Sequence, residues 1–415
     1  VKMYKVYSTL LMAVFTASTY VFAVDISTET TSVTTVTYEN IEQKKIKKKS
    51  FFGDFGFQTN AIVQDIGEVP GNQHFGSMNL NYKTIDQVKD SELVLSFNSR
   101  VNNENVFQYS VSNAYLEYQY STSRLALGRA KLNWSPTDEV WGLGKINNRI
   151  NFDYFEPGNE GLVGVFYDRK FNNGATFSVF GSGVFIPELS QGMIVDKKNG
   201  TIQCKTAWCD APSASAEIEG REVPIFYDVN YPDTNDVIFR HSIGFKLGAS
   251  LFDDKFKFDV YQLHKPENSI SVSAQIFVEP DLSVINAQVT PHFYYHDVRG
   301  MNAEISFNEH FKIYGSRMDI IPNKYPDNNE PLIEYTGIKP KKKSEEYISV
   351  GAYYQNTDWS AHAGYIARIS EFDTESDILV DYPRWNQAVN LSIKKKFSRK
   401  IQVALDIKYD MITED

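Results

Sequence analysis

The chain has 415 residues, with 42 Lys and Arg against 52 Asp and Glu and a formal net charge of −10. This acidic balance argues against nucleic acid as a partner, because phosphate backbones are bound by basic surfaces. The mean hydropathy is −0.36. Beyond the N-terminus no run of about eighteen apolar residues occurs, so no further membrane-spanning helix is predicted.

The first 23 residues have the pattern of a secretory signal peptide. Lys2 and Lys5 precede an apolar run, and no acidic residue occurs before Asp25. The run ends at Ala23 with small or aliphatic residues where signal peptidase cuts, so we predict a signal peptide at 1–23. A membrane-anchoring first helix is the alternative. Cleavage would remove two lysines and no acid, which leaves 40 basic and 52 acidic groups and a net charge of −12.

Residues 24–50 are rich in Thr, Ser, Glu and Lys and end in a basic run from Lys44 to Lys49. They predict a flexible periplasmic leader. The basic run fits an ordinary solvated charge cluster, or contact with anionic lipid or cell-wall polymer.

From residue 51 onward the chain repeatedly alternates apolar and polar residues. In the last such stretch Ile401, Val403 and Leu405 are apolar, whereas Gln402 and Asp406 are polar. Successive side chains of a strand point to opposite faces, so each stretch predicts a strand with one apolar face. Seventeen strands are predicted, at 51–63, 74–86, 91–101, 106–120, 124–131, 161–170, 175–186, 237–252, 255–265, 268–278, 284–297, 301–308, 310–320, 346–356, 359–369, 385–397 and 399–411.

About ten residues of a tilted strand suffice to cross a bilayer. We therefore predict an all-β chain in which residues 51–415 form a transmembrane antiparallel β-barrel. Single-chain bacterial barrels have even strand numbers, so 16–18 strands are expected, with short periplasmic turns and long extracellular loops. The long connections are predicted at 132–160, 187–236, 321–345 and 370–384.

Two finer features are predicted from the strand pattern. The apolar phase slips within 106–120, which indicates a β-bulge near Ser112 and Asn113. All five tryptophans lie at or beyond predicted strand ends, which favours interfacial aromatic belts over ordinary loop positions.

The stretch from Leu127 to Phe155 is unusual for a connection between strands. It runs from Leu127-Gly-Arg129 through Trp134 to Trp141-Gly-Leu-Gly144. This pattern resembles outer-membrane porins and the alginate-export and capsule-assembly barrels. The resemblance implies that the region contributes to the lumen or its constriction. Basic residues are then expected to face acidic ones there, the six being Arg129, Lys145, Arg149, Asp138, Glu139 and Asp153.

Histidines and cysteines offer few ligand sets. His292 and His296 fall on the polar face of one predicted strand, about 13 Å apart at about 3.3 Å per residue, so a polar lumen wall is expected there. Cys204 and Cys209 predict a disulfide within a loop. No metal site and no cofactor are predicted. The acidic stretches 231–236 and 325–330 fit ordinary turns or calcium loops.

No motif of a metalloprotease, serine hydrolase or phosphate-binding loop occurs, so a non-enzyme is predicted. The expected function is a porin-like channel for passive diffusion of small hydrophilic solutes, with acidic charge favouring cations or neutral solutes. A polysaccharide exporter, an adhesin or a structural barrel with a filled lumen is one alternative, and a secreted soluble carbohydrate-binding protein is another. Expected partners in the Gram-negative outer membrane are lipid, lipopolysaccharide and further copies in a homotrimer.

Overall fold

The structure is a computed structural model, and it describes most of the chain from residue 47 onward. The described residues are 47–61, 72–86, 91–102, 107–150, 158–188, 193–204, 212–323, 337–338, 344–370, 385–397 and 402–411. The predicted signal peptide lies outside them, as does the leader up to residue 46. The first strand begins at Lys47, four residues before its predicted start.

One antiparallel sheet of fifteen strands dominates the described chain, and its strands are hydrogen-bonded in sequence order. These strands are β1 (Lys47–Ala61), β2 (Asn72–Asp86), β3 (Ser91–Asn102), β4 (Phe107–Gln119), β5 (Ser123–Ala130), β8 (Leu162–Lys170), β9 (Ala175–Ser182), β14 (Ser242–Leu251), β15 (Phe256–Pro266), β18 (Tyr295–Ser306), β19 (Phe311–Pro322), β21 (Glu345–Gln355), β22 (Trp359–Arg368), β23 (Gln387–Lys396) and β24 (Gln402–Asp410).

The remaining elements lie in the connections of this sheet. A second sheet has the order β12 (Ser215–Ile218), β13 (Arg221–Val229), β17 (Ile285–His292), β16 (Ser271–Val278) and β20 (Gly337–Ile338). Two small hairpins pair β6 (Asn148–Ile150) with β7 (Gly158–Glu160) and β10 (Met193–Asp196) with β11 (Thr201–Cys204). The helices are α1 (Pro136–Trp141) and α2 (Thr234–Ile238). In the described residues no helix is long and apolar enough to cross a membrane.

Connection length differs sharply between the two ends of the principal sheet. At one end the strands are joined by three to five residues, as at 120–122, 171–174, 252–255 and 307–310. At the other end the connections include 131–161, 183–241, 267–294, 323–344 and 369–386. The predicted contrast between short turns and long loops is thus confirmed, and we name the ends accordingly.

The sheet is curled rather than flat. Thr137 hydrogen-bonds to Ser349 of β21, which is seven strands from β5 in the sheet order. On a flat sheet that separation would be about 34 Å at about 4.8 Å per strand. The seven residues from Ala130 to Thr137 reach at most about 25 Å when fully extended, and two short side chains joined by a 2.7 Å hydrogen bond do not close the gap. The segment therefore lies inside a curved wall, as in a β-barrel.

The outer face of the wall carries a broad apolar belt. Register pairs Leu247, Val260 and Met301 along one row of neighbouring strands, and Ala249, Phe258 and Ala303 along the next. Such a contiguous exposed apolar surface is the signature of a lipid-facing barrel wall. Its exposed members include Leu251, Ile305, Ile313, Ile348, Val350, Val389, Leu391 and Leu405.

Toward the long-loop end the outer face of the wall becomes polar and the inner face becomes apolar. On β18, Asp297 and Arg299 alternate with the fully buried Val298. On β19, Arg317 and Asp319 form an ion pair on the outside, whereas Met318 is buried inside. Polar outside and apolar inside is the pattern of a wall that faces water. These strands therefore pass from a lipid-facing section into a water-facing one.

Exposed aromatic side chains mark the short-turn end. Every described turn at this end has one at or next to it, namely Tyr120, Phe171, Phe252, Phe307, Trp359 and Phe397. An aromatic girdle is expected where a barrel leaves the lipid. The predicted tryptophan belts are wrong in part. Trp134, Trp141 and Trp385 are buried in the protein core rather than at an interface.

Two predicted wall strands belong to the second sheet. Residues 268–278 became β16, and 284–297 divided into β17 and the start of β18. Removing these two from the seventeen predicted leaves the fifteen described, below the expected 16–18. The apolar residues of β17, Ile285 and Ala287, are buried, unlike those of the lipid-facing belt. Alternation shows that one face is apolar but not whether lipid or protein covers it.

The predicted bulge is confirmed. Ser96 pairs with Asn113 and Phe97 with Val111, so Ser112 is the extra residue on β4. Before it Tyr109 and Val111 point outward, and after it the outward positions change parity, which keeps apolar side chains on the lipid side.

The lipid-facing belt makes a testable prediction. Val350→Arg places a charge in the middle of the belt and should lower the free energy of unfolding by about 2–4 kcal/mol. Gln288→Arg, at an exposed strand position of the second sheet, should change it by less than about 0.5 kcal/mol. Urea unfolding of both variants in lipid vesicles measures the difference. Equal costs would contradict a lipid-facing Val350.

Candidate functional site

A segment folds into the barrel from the long-loop end, and we call residues 131–150 the plug. Its helix α1 is short, with Ser135 as N-cap, Pro136 in the first turn and Gly142 at the C-cap. Proline at the start and glycine just past the end are standard helix boundaries. The sequence thus limits α1 to about one and a half helical turns.

Hydrogen bonds fasten the plug to several strands of the wall. The Thr137 hydroxyl lies 2.7 Å from the Ser349 hydroxyl of β21, and Asn302 of β18 donates to the Trp134 carbonyl at 2.7 Å. The Trp385 indole donates to the Trp141 carbonyl at 2.9 Å. The last two bonds satisfy plug carbonyl groups that would otherwise be buried without partners.

Apolar packing completes the plug–wall contact. Trp141 and Ile146 are fully buried, and Trp134 stacks at a tilt against Tyr261 of β15. Gly244 of β14 leaves room for the Trp134 ring, since a Cβ there would lie 2.8 Å from the ring edge. The apolar inner face near the long-loop end is therefore packed against the apolar side chains of the plug.

A buried carboxylate holds the turn after α1. Asp138 is 2% exposed and accepts backbone N–H groups of Lys145, Ile146 and Asn147. Burial raises the pKa of Asp138, against the effect of the three donors and of the buried Lys265. Asp138 therefore shapes the plug and does not face solutes.

The predicted basic residues find acids other than those expected. Lys145 pairs with Glu345 of β21 at 2.7 Å, and Arg149 with Glu188 at 3.2 Å. The pairs tie the plug to the wall and to the 183–241 connection. Asp153 lies outside the described residues.

The Arg129 side chain is directed away from the lumen. It alternates on β5 with Ala130, which lines the lumen, and it pairs with Glu160. Its guanidinium also donates to the carbonyls of Val111 and Gly161. Strand parity therefore excludes the predicted lumen position for this residue.

A cleft, which we call the passage, lies between the plug and the wall formed by β4, β5, β8, β9 and β14. It has a volume of about 440 Å³. Its lining is mainly polar and includes Asn113, Tyr115, Arg124, Lys131, Asn133, Trp134, Phe166, Asp168, Ser178 and Lys246. A polar, water-accessible cleft of this size accommodates small hydrophilic molecules.

The charged side chains in and near the cleft differ from those that fasten the plug to the wall. Glu139 is partly exposed to solvent and lies within electrostatic reach of the cleft residues Lys131 and Lys246, but the surrounding protein limits its hydration. This enclosure, with Asp138 next to it, raises the pKa of Glu139 to about 7 against the opposing effect of Lys246 and Lys131. Burial also lowers the pKa of Lys131. Glu139 therefore changes its charge near neutral pH.

The two predicted histidines do not share a face. His292 lies in β17 of the second sheet, where its ring is 2.7 Å from the Ser273 hydroxyl. His296 is buried on the inner face of β18. Cys204 is disulfide-bonded. Its predicted partner Cys209 lies outside the described residues, so that pairing stays a prediction.

Lys131 and Lys246 line the passage but were not among the predicted site residues. Lys246 alternates with the outward Phe245 and Leu247, so its inward position could be read from the sequence. Its proximity to Glu139 depends on the curling of the sheet, which strand patterns do not specify.

Comparison with known proteins gives structural similarity only. No protein-family profile and no curated protein matches the chain. Among solved structures, Salmonella typhi OmpF in complex with daunomycin is 10% identical and covers 88% of this chain and 97% of its own, with a TM-score of 0.43. A mutant Rh. blastica porin is 8% identical, covering 88% and 98%, with a TM-score of 0.38. OmpT of Vibrio cholerae is 12% identical, covering 89% of both chains, with a TM-score of 0.42.

The curled antiparallel sheet, its outer apolar belt and its unequal ends define the class of the chain. It is a transmembrane-type β-barrel, with a plug inside the lumen and a small second sheet among its long loops.

The packing of Trp134 predicts opposite effects from two substitutions. Trp134→Ala removes a ring that lines the passage, so single-channel conductance should rise, at a stability cost of about 3–5 kcal/mol. Gly244→Val pushes the ring off the wall toward the passage, so conductance should fall, at a cost of about 1–3 kcal/mol. Recordings in planar bilayers measure both.

Gly181→Val is the matched control. Gly181 pairs with Ile243 in the neighbouring strand, and a Cβ there meets nothing within 4 Å. It should leave conductance unchanged. A change of the same sign in Trp134→Ala and Gly244→Val would contradict the assigned position of the ring.

Proposed function

We propose that the chain is a channel for passive diffusion of small hydrophilic solutes, without catalytic activity. The observation that carries this proposal is the polar cleft of about 440 Å³ beside the plug. A diffusion channel needs a water-filled path with a wall that does not trap its solute. Mixed polar and charged groups on the wall provide such a path.

The plug is proposed to act as the constriction. It fills the side of the lumen next to β15–β21, so solutes pass on the opposite side, along Tyr115, Lys131 and Lys246. A constriction built on hydrogen bonds and buried side chains is rigid, which gives a defined size limit. Passage is then limited by the width of the cleft and by its charge.

We propose that the charged side chains near the cleft modify the preference of the channel for cations. The net charge of −10 favours cations or neutral solutes, as expected from the sequence. Lys131 and Lys246 oppose this preference in the passage, and Glu139 supports it once ionised. The cation preference should therefore be weaker than the net charge alone would give.

The outer membrane of a Gram-negative bacterium is the proposed location, with lipid and lipopolysaccharide around the belt and the long loops on the outside. The apolar belt and the aromatic girdle support a bilayer environment over a soluble carbohydrate-binding protein. We also propose that the chain assembles as a homotrimer and that its basic leader contacts cell-wall polymer.

A barrel with a functionally filled lumen is the second candidate. The observation in its favour is the tight fastening of the plug, with Trp141 and Ile146 fully buried and Thr137 bonded to two strands. In an exporter or gated barrel the plug would have to leave the lumen before a solute passes. In a scaffold or adhesin it would never leave.

Locking the plug separates these possibilities. The hydroxyl oxygens of Thr137 and Ser349 are 2.7 Å apart, so a Thr137→Cys, Ser349→Cys variant can form a disulfide. A static passage predicts steady conductance steps in wild type and in the oxidised variant alike. The single Thr137→Cys variant is the control. Conductance that appears only after reduction, or none in folded wild type, would overturn the proposed open channel.

The pKa of Glu139 predicts a pH-dependent selectivity. Below pH 7 the Glu139 carboxyl is neutral, whereas above pH 7 it is negative and opposes the positive charge of the nearby lysines. The ratio of cation to anion permeability should therefore rise between pH 6 and pH 8. Reversal potentials under a salt gradient measure this ratio.

Glu139→Gln should abolish that rise, whereas Glu309→Gln, at an exposed position of a short turn, should retain it. A rise that persists in Glu139→Gln would assign the titration to another group.

A further inference from the structure

A cluster of two histidines, a tyrosine and an aspartate lies on the outside of the barrel near the long-loop end. His241 precedes β14, His264 is on β15, and Tyr295 and Asp297 are on β18. Register pairs His264 with Asp297 and Pro266 with Tyr295, which places all four side chains around one spot. On β18 this spot lies beside the exposed Arg299 and beyond Met301 of the apolar belt.

The rings of this cluster are in close contact. The ring centroids of His241 and His264 are 5.8 Å apart, and each lies 5.1 Å from the ring of Tyr295. Two imidazoles bound to one ion through nitrogens at about 2.0–2.1 Å have each centroid about 3.2 Å from the metal. Their centroids are then about 5–6 Å apart, which includes the separation seen here.

Each histidine also has its Nδ1 atom occupied by a neighbour. Nδ1 of His264 is 2.8 Å from a carboxylate oxygen of Asp297, and Nδ1 of His241 is 3.4 Å from the Tyr295 hydroxyl. Metal-binding histidines typically donate their other ring N–H to a carboxylate or similar group, which orients the ring and increases its basicity. This arrangement leaves Nε2 of both rings to bind an ion.

We propose that His241 and His264 bind a divalent transition-metal ion through their Nε2 atoms, with Asp297 and Tyr295 orienting the two rings. Imidazole nitrogen is a ligand that suits Zn²⁺, Cu²⁺ and Ni²⁺. In the described residues no group of three or more His, Cys, Asp or Glu side chains could hold a metal ion, so water completes the coordination. Such a two-histidine site is exchangeable rather than permanently occupied.

The position of the site gives it a structural consequence. His241 ends the 183–241 connection, and His264 and Tyr295 flank the 267–294 connection. These two connections carry four of the five strands of the second sheet. An ion at the cluster would therefore cross-link β14 and β15 at the base of the second sheet.

Equilibrium dialysis of the folded full-length chain in detergent, with Cu²⁺ or Zn²⁺ as the only added metal, tests the site. One ion per chain should bind, with Cu²⁺ tighter than Zn²⁺, as the general order of affinities requires. His241→Ala and His264→Ala should each abolish this binding or weaken it at least tenfold. Asp297→Asn should weaken it by about 10–100-fold. His310→Ala, at an exposed histidine of a short turn, should leave it unchanged.

Electron paramagnetic resonance of bound Cu²⁺ provides a second measurement. Coupling to two imidazole nitrogens is expected in the wild type and to one in either histidine variant. Slower migration of every variant after heating in detergent gels confirms that the barrel is folded. Lack of binding by the folded wild type, or equal binding by the variant lacking both histidines, would overturn the proposal. Neither result bears on the diffusion channel.

Discussion

Which solvent the wall faces is the constraint on which the rest of this structure depends. Where β18 and β19 face lipid, Met301 and Ile313 point outward. A few residues along the same strands, Arg299 and Asp319 point outward and Val298 and Met318 point inward. Because an apolar surface is stable against lipid or protein but not against water, this exchange marks the edge of the bilayer.

The same change from a polar to an apolar inner face explains why the barrel contains the plug. An inner wall of apolar residues would be unstable around water, so the water-facing section of the barrel needs a core. Trp134, Trp141 and Ile146 supply it, and the hydrogen bonds of Thr137 and Asn302 fix its orientation. On the opposite side, β4 and β5 present polar groups to the cleft beside the plug. The plug that we propose as the constriction is therefore also the core of this section of the barrel.

Strand alternation predicts much of this fold and little of its site. It gave the wall strands, the short turns and the bulge at Ser112, because each depends on local backbone geometry. It misassigned 268–278 and 284–297, since an apolar face buried against protein has the same period as one against lipid. It did not yield the pairing of Lys145 with Glu345, 200 residues apart. Such contacts depend on curvature and on the path of a loop.

Net charge is a poor guide to the passage for a related reason. Charges separated by more than about 8–10 Å of salt solution are screened from a solute, so only nearby groups act on it. Lys145 and Arg149 are neutralised by acids on the wall, and Asp138 is enclosed by backbone donors. Lys131 and Lys246 line the cleft, and Glu139 lies within electrostatic reach of both lysines. The surplus of acids over the whole chain therefore acts only at long range, while the charged side chains in and beside the cleft, including the paired Arg124 and Asp168, set the local field.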